Sequence, residues 1–135
     1  MDRSRFQGFS LLELLIALAL VAILATITIP SFSGLLAKSR RSDAMSALLL
    51  VQLAQERWRS RNTSYAQSLE ELGWASPVSS EGYYRLRVGE ADAAGYRILA
   101  QPAAVQRRDS CGVFAVDANG PDHSEGYAGP ACWNR

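Results

Sequence analysis

The chain is poor in the residues that most catalytic and metal chemistry requires. It has 1 histidine and 2 cysteines in 135 residues, without a CxxC or HxxxH spacing, so a zinc site lacks a ligand set. No long run of like charge occurs and the formal net charge is +1, which gives no global pull toward nucleic acid. Ser124, His123 and Asp122 are the residue types of a hydrolytic triad, but side chains adjacent in sequence do not converge in that way. The chain therefore reads as a non-enzyme that carries no cofactor. Asp117, Asn119, Asp122 and Glu125 are oxygen donors of the calcium type. The EF-hand loop spacing with its final glutamate is missing, however, and a solvated turn accounts for them better.

The longest absence is of charge. No charged residue occurs from Leu14 to Ala37. Phe9 to Ile29 alone is 21 residues, or ~31 Å as a helix, which matches the hydrocarbon thickness of a bilayer. A cleaved secretory signal has a shorter apolar core followed by a small-x-small site. This run is too long and no clear site follows it, so it reads as a membrane anchor. With so much apolar content at one end, the rest must build a small core from a thinner supply, and a core of that size is marginal without a staple or a partner. Cys111 and Cys132 allow one pairing. If the domain is exported they are oxidised, closing a loop worth roughly 3 kcal/mol by chain entropy; in a cytosolic chain they would be free thiols.

Glu13 interrupts the apolar run. A carboxylate costs roughly 2.5–3.5 kcal/mol at a bilayer centre and less near the headgroups. Either Glu13 stays solvated at the interface or it awaits a cationic partner. A new α-amino group at Phe9, made by cleavage after Gly8, would be one. Within a chain the helix holds that amine and Glu13 about one turn apart, and in an assembly a neighbour's amine would neutralise Glu13 and set the register between subunits.

The segment Gly8-Phe9-Ser10-Leu11-Leu12-Glu13, with a short charged leader before it and an apolar helix after it, resembles the processing motif of type IV pilins and pseudopilins. The resemblance implies cleavage between Gly8 and Phe9 by a prepilin peptidase, N-methylation of Phe9 by the same enzyme, and an assembly role for Glu13. Pro30 matches the proline that commonly follows the apolar segment, where the helix bends. Cations flank the segment on both sides (Arg3 and Arg5; Lys38, Arg40 and Arg41), so the positive-inside count does not orient it. The resemblance does: the leader lies in the cytoplasm and the head outside the inner membrane.

Beyond Pro30 and Gly34, the apolar residues Ala44, Ala47, Leu48, Val51, Ala54 and Trp58 recur at helical spacing. Gln52, Gln55, Glu56 and Arg59 fall largely on the opposite face. This is a helix packed on a sheet, with a membrane-surface helix as the alternative, and Asn62-Thr63-Ser64 ends it. Leu69 to Leu72 suggests a short turn of helix, and Gly73, Pro77, Ser79 and Ser80 mark loop. Strands are expected at Tyr83–Val88, Tyr96–Ala100 and Gly112–Val116. In the first, Tyr84, Leu86 and Val88 share one face, and Tyr83, Arg85 and Arg87 the other.

The expected fold is α+β: a long N-terminal helix, membrane-spanning in its first half, packed on a small antiparallel sheet of three or four strands. Residues 1–8 would be the leader, 9–61 the helix with 9–29 as membrane span or filament core, and 62–135 the head with its cysteine loop. Tyr96, Ala100-Gln101-Pro102, Gln106, Asp109, Cys111, Asp117, Gly120 and Cys132-Trp133 resemble the PilE-like minor pilins. That resemblance implies a minor pilus subunit stored in the inner membrane with its head in the periplasm, then moved into a cell-surface pilus serving motility or adhesion. Its partners would be other pilins through the helix, the prepilin peptidase and the assembly machinery. Two other readings stay open: a pilin that captures DNA through Arg85 and Arg87, for which the plain alternative is an exposed polar sheet face, and a type II secretion pseudopilin.

Overall fold

The computed structural model describes residues 8–134. Residues 1–7 of the expected leader, with Asp2, Arg3 and Arg5, lie outside them, as does the Pro30 side chain with the bend expected there. One helix, α1 (Leu11–Arg59), precedes the strands β1 (Tyr84–Ala91), β2 (Tyr96–Pro102), β3 (Phe114–Asp117) and β4 (Gly120–Pro121). The chain divides into two compact units, residues 1–35 and 36–135.

The described part of the first unit is helix from Leu11 onward, and its apolar side chains are exposed on every side, from Leu11 and Leu12 through Ile23 to Ile29. A helix that is apolar all round is built for lipid or for other helices. Its two threonine hydroxyls are satisfied within it: Thr26 Oγ1 donates to the Ile23 carbonyl at 2.7 Å and Thr28 Oγ1 to the Leu24 carbonyl at 2.6 Å. A hydroxyl bonded to its own backbone presents little unsatisfied polarity to a hydrocarbon surround.

In the second unit the remainder of α1 lies on the sheet. Strand order is β1-β2-β3-β4, each pair antiparallel. Leu86 faces Ala100 across β1 and β2, and Ile98 faces Val116 across β2 and β3. The period of two sends Tyr84 and Leu86 inward and Arg85 and Arg87 outward. Ala44, Ala47, Leu48 and Val51 of α1 form one core with Tyr84, Leu86, Ile98, Phe114 and Val116. The two alanines let the helix backbone approach the sheet, and the larger side chains come from the strands. Tyr84 and Phe114 meet edge to face at 5.8 Å, and Phe114 meets Trp133 at 5.2 Å.

Several boundaries differ from the sequence expectation, each for a local reason. The helix ends at Arg59, because Ser60 and Asn62 side chains donate back to the carbonyls of Arg57 and Trp58 and satisfy its last turn. Leu69 to Leu72 forms hydrogen-bonded turns instead of a helix, closed by Gly73 at φ 75°. The third strand starts at Phe114 because Gly112 turns at φ 62°. A register shift between Val88 and Ala91 carries β1 past its expected end.

Gln55 is the clearest correction. Helical spacing assigned it to the polar face, yet it is fully buried. Its Nε2 donates to the Ala66 carbonyl at 2.8 Å and its Oε1 accepts from the Ala66 N–H at 2.9 Å. The amide reproduces the pairing of a neighbouring strand and fastens the chain after α1 to the helix. Ala54 and Trp58, expected to continue the apolar stripe, are only half-buried.

Candidate functional site

Gly8, Phe9 and Ser10 precede α1 and are exposed, Phe9 by 78%. The helix opens on the Ser10 carbonyl, which accepts the Leu14 N–H at 3.2 Å. Glu13 consequently sits in the first turn, where the helix dipole favours an anion. It is exposed, and none of the ion pairs among the described residues involves it. The expected processing residues and Glu13 therefore lie together at the accessible end of the apolar helix.

The head is locked to the second part of α1 by polar side chains. Arg41 meets Asp109 with two bonds, Nε to Oδ2 at 2.8 Å and Nη2 to Oδ1 at 2.6 Å. The Asp109 side chain is only 3% exposed. Burial pushes its carboxyl up, but the Arg41 hydrogen bonds and charge outweigh that and hold it below the usual carboxylate range. The same hydrogen bonds raise Arg41. Gln106 Nε2 stands 2.9 Å from Asp109, 3.1 Å from the Tyr84 hydroxyl and 3.1 Å from the Ala37 carbonyl. Burial pushes the Tyr84 phenol up to about 12, against the opposing Gln106 hydrogen bond. Two residues after Arg41, buried Asp43 accepts from Ser79 Oγ at 2.5 Å and from the N–H groups of Glu81 and Tyr83 at 3.1 and 3.3 Å. Periodicity does not reveal such pairs, because their partners are distant in sequence.

Cys111 and Cys132 form a disulfide with Cα atoms 5.8 Å apart. It encloses β3 and β4 and ties the C-terminal turn, where Trp133 Nε1 donates to the Ala128 carbonyl at 3.2 Å. His123 Nδ1 lies 3.0 Å from that carbonyl, and Ser124 Oγ donates to Asp122 at 2.6 Å, so the hydroxyl is directed to the carboxylate and no triad is assembled. Asp117 accepts from the N–H groups of Asn119 and Gly120 at 2.7 and 3.1 Å, closing its own turn. No cluster of three or more metal-ligating side chains occurs among the described residues.

Arg85 and Arg87 are exposed on the outward face of β1 beside half-buried Tyr83. They take part in no ion pair among the described residues. Arg97 is engaged, 3.0 Å from Asp122 and 3.5 Å from Glu90, above the Tyr127 ring. Arg40 stacks over Tyr83 at 4.9 Å.

Residues 3–29 match the prokaryotic N-terminal methylation motif. Residues 30–115 match the family described as type IV minor pilin ComP, DNA uptake sequence receptor. The chain belongs to the type IV pilin family. This pilin is 34% identical to the type IV major pilin protein PilA of Myxococcus xanthus over 88 residues, covering 65% of this chain and 40% of that one. It is 33% identical to a fimbrial protein of Neisseria meningitidis over 85 residues, covering 58% and 46%. The matched part thus spans less than half the length of those relatives. A type IV pilin from Shewanella oneidensis superimposes with a TM-score of 0.51 at 26% identity, covering 73% of this chain and 99% of that one. The apolar helix and the four-stranded sheet are thus those of a pilin.

Proposed function

We propose that this pilin is a minor subunit of a type IV pilus. It is cut between Gly8 and Phe9, methylated on Phe9 and stored in the inner membrane with its head in the periplasm. From there α1 carries it into the fibre, where the amine of a neighbouring subunit pairs with Glu13. The carrying observation is the position of Glu13: exposed, in the first turn of a helix apolar on every side, directly after exposed Gly8 and Phe9. An unpaired carboxylate there is costly in lipid and neutral once paired. Packing against other helices replaces lipid contacts, so the gain on assembly comes from close packing and from this pair. The pilus and fimbrial names of the relatives support a fibre over a secretion pseudopilus. Gly8→Ser tests the first step. The variant should accumulate as the uncut chain on a gel in cells with a prepilin peptidase, and normal cutting would remove the cleavage assignment.

A second reading has its own support, in the family description that covers residues 30–115. In it the head also captures DNA, with Arg85 and Arg87 as phosphate contacts on β1. Phosphate neutralisation makes such binding fall steeply with salt. Arg85→Glu with Arg87→Glu should abolish retention of duplex DNA at low salt; retention equal to that of the unaltered pilin would exclude this face.

A further inference from the structure

The 3-10 turn Ala104–Arg108 is fixed against α1 at the point in the sequence where the charge-free stretch ends. Gln106 Nε2 holds the Ala37 carbonyl, and Asp109, just past the turn, grips Arg41. Ala37 is the last residue of the run without charge, and Lys38 is the first cation after it. The chain enters the turn through Ala104 at φ 47°. Gln106 then points inward and is buried, while Val105 is 57% exposed and Arg107 and Arg108 are exposed. None of the ion pairs among the described residues involves Lys38, Arg107 or Arg108. Asp109, the acid next to the turn, is buried and already neutralised by Arg41.

We propose that this turn is a membrane-docking patch: while α1 resides in the inner membrane, Lys38, Arg107 and Arg108 bind anionic phospholipid headgroups and Val105 enters the interface. The proposal rests on the membrane-storage reading above and adds to it a lipid partner for the head. The run without charge continues eight residues past the expected span, to Ala37, and long cationic side chains near the end of such a run reach back to the headgroups. Each cation near an anionic bilayer strengthens attachment about fivefold, and an apolar side chain among cations is the composition of an interfacial contact. DNA phosphates would attract the same arginines. Exposed Val105 and the adjoining end of the charge-free run favour the bilayer. Docking would hold the head in one orientation until the subunit is withdrawn into the fibre.

The test is amide hydrogen exchange of residues 103–110 in the full-length chain, reconstituted in nanodiscs of neutral phosphatidylcholine with or without phosphatidylglycerol. The patch predicts slower exchange with the anionic lipid, lost in high salt. In R107Q/R108Q the docked population relative to the free one should fall on the order of 25-fold, whereas R85Q/R87Q should behave as the unaltered chain. Equal exchange in both discs, with the chain retained in them, overturns the patch and leaves membrane storage standing. Failure of the chain to stay in the discs overturns both. Protection by added duplex DNA in neutral discs, without any effect of phosphatidylglycerol, assigns the turn to nucleic acid and also overturns the proposal.

Discussion

Arg41 and Asp109, 68 positions apart in the chain, meet in a two-pronged ion pair that joins α1 to the segment leading into the disulfide. The carboxylate is almost wholly buried and the guanidinium largely so. Such a pair is a weak source of net stability compared with well-packed apolar side chains, but its breakage leaves a buried charge alone. Its effect is to fix one position of the head on the helix.

Asp109→Ala and Arg41→Ala should each destabilise the pilin by about 3–5 kcal/mol. Thermal unfolding of the full chain in detergent measures this. Removing both partners should cost less than the two single losses together, because neither charge is then left unpaired.

The pH dependence follows from the same network. The Asp109 carboxyl is held below its ordinary value, so its contribution is fully present above the unfolded carboxylate pKa of about 4 and is lost as pH falls through the lower folded value. At the other end, the phenols of Tyr84 and Tyr96 are both pushed up to about 12, chiefly by burial. That contribution is complete below the unfolded value of about 10 and is lost as pH rises toward 12. Tyrosinate absorbance should therefore include a late phase that coincides with loss of the folded circular dichroism signal. An early single phase with the fold intact would contradict the buried setting of these rings.

Cys111→Ser with Cys132→Ser should lower stability by roughly 3 kcal/mol, the loop-closure value for a loop of this length. The disulfide spans a sequence separation of 21. Chemical denaturation with and without reductant gives the comparison, and an unchanged midpoint would show that the aromatic contacts of Trp133 hold the C-terminal turn alone.

Ala104→Gly should stabilise the chain by about 0.5–1 kcal/mol. A left-handed conformation costs an L-residue roughly 1–2 kcal/mol, and the extra freedom of glycine in the unfolded chain returns part of that. Ala104 sits at φ 47°. A loss of stability instead would mean that its methyl group contributes packing beyond the strain it carries.

Glu13→Ala should leave cutting after Gly8 intact and reduce entry into fibres by an order of magnitude or more if a pair of roughly 1.4 kcal/mol or above is lost. The ratio of fibre-bound to membrane-bound subunit on an immunoblot reads this. Wild-type incorporation would remove the proposed pairing with a neighbour's amine.

The local patterns carried much of this fold. The charge-free run, the alternation of Tyr84, Arg85, Leu86 and Arg87, and the turn glycines each act over a few residues, so they are visible in a string. Gln55 was missed because helical spacing reads a polar side chain as solvated, and only the position of Ala66 gives its amide both partners. Asp43 and Arg41 were missed for the same reason: their partners Ser79 and Asp109 arrive through tertiary structure. At the N-terminal segment the relation was reversed. The proposed roles of Gly8, Phe9 and Glu13 rest on their order along the chain, and the structure adds only that all three are exposed.

The most direct measurement is the intact mass of the pilin recovered from membranes of cells that carry a prepilin peptidase, with fragmentation of its first residues. The account predicts a chain that begins at Phe9 with one added methyl group on its amine and Glu13 unmodified. A recovered chain that still begins at Met1, or one cut at another bond, would contradict it.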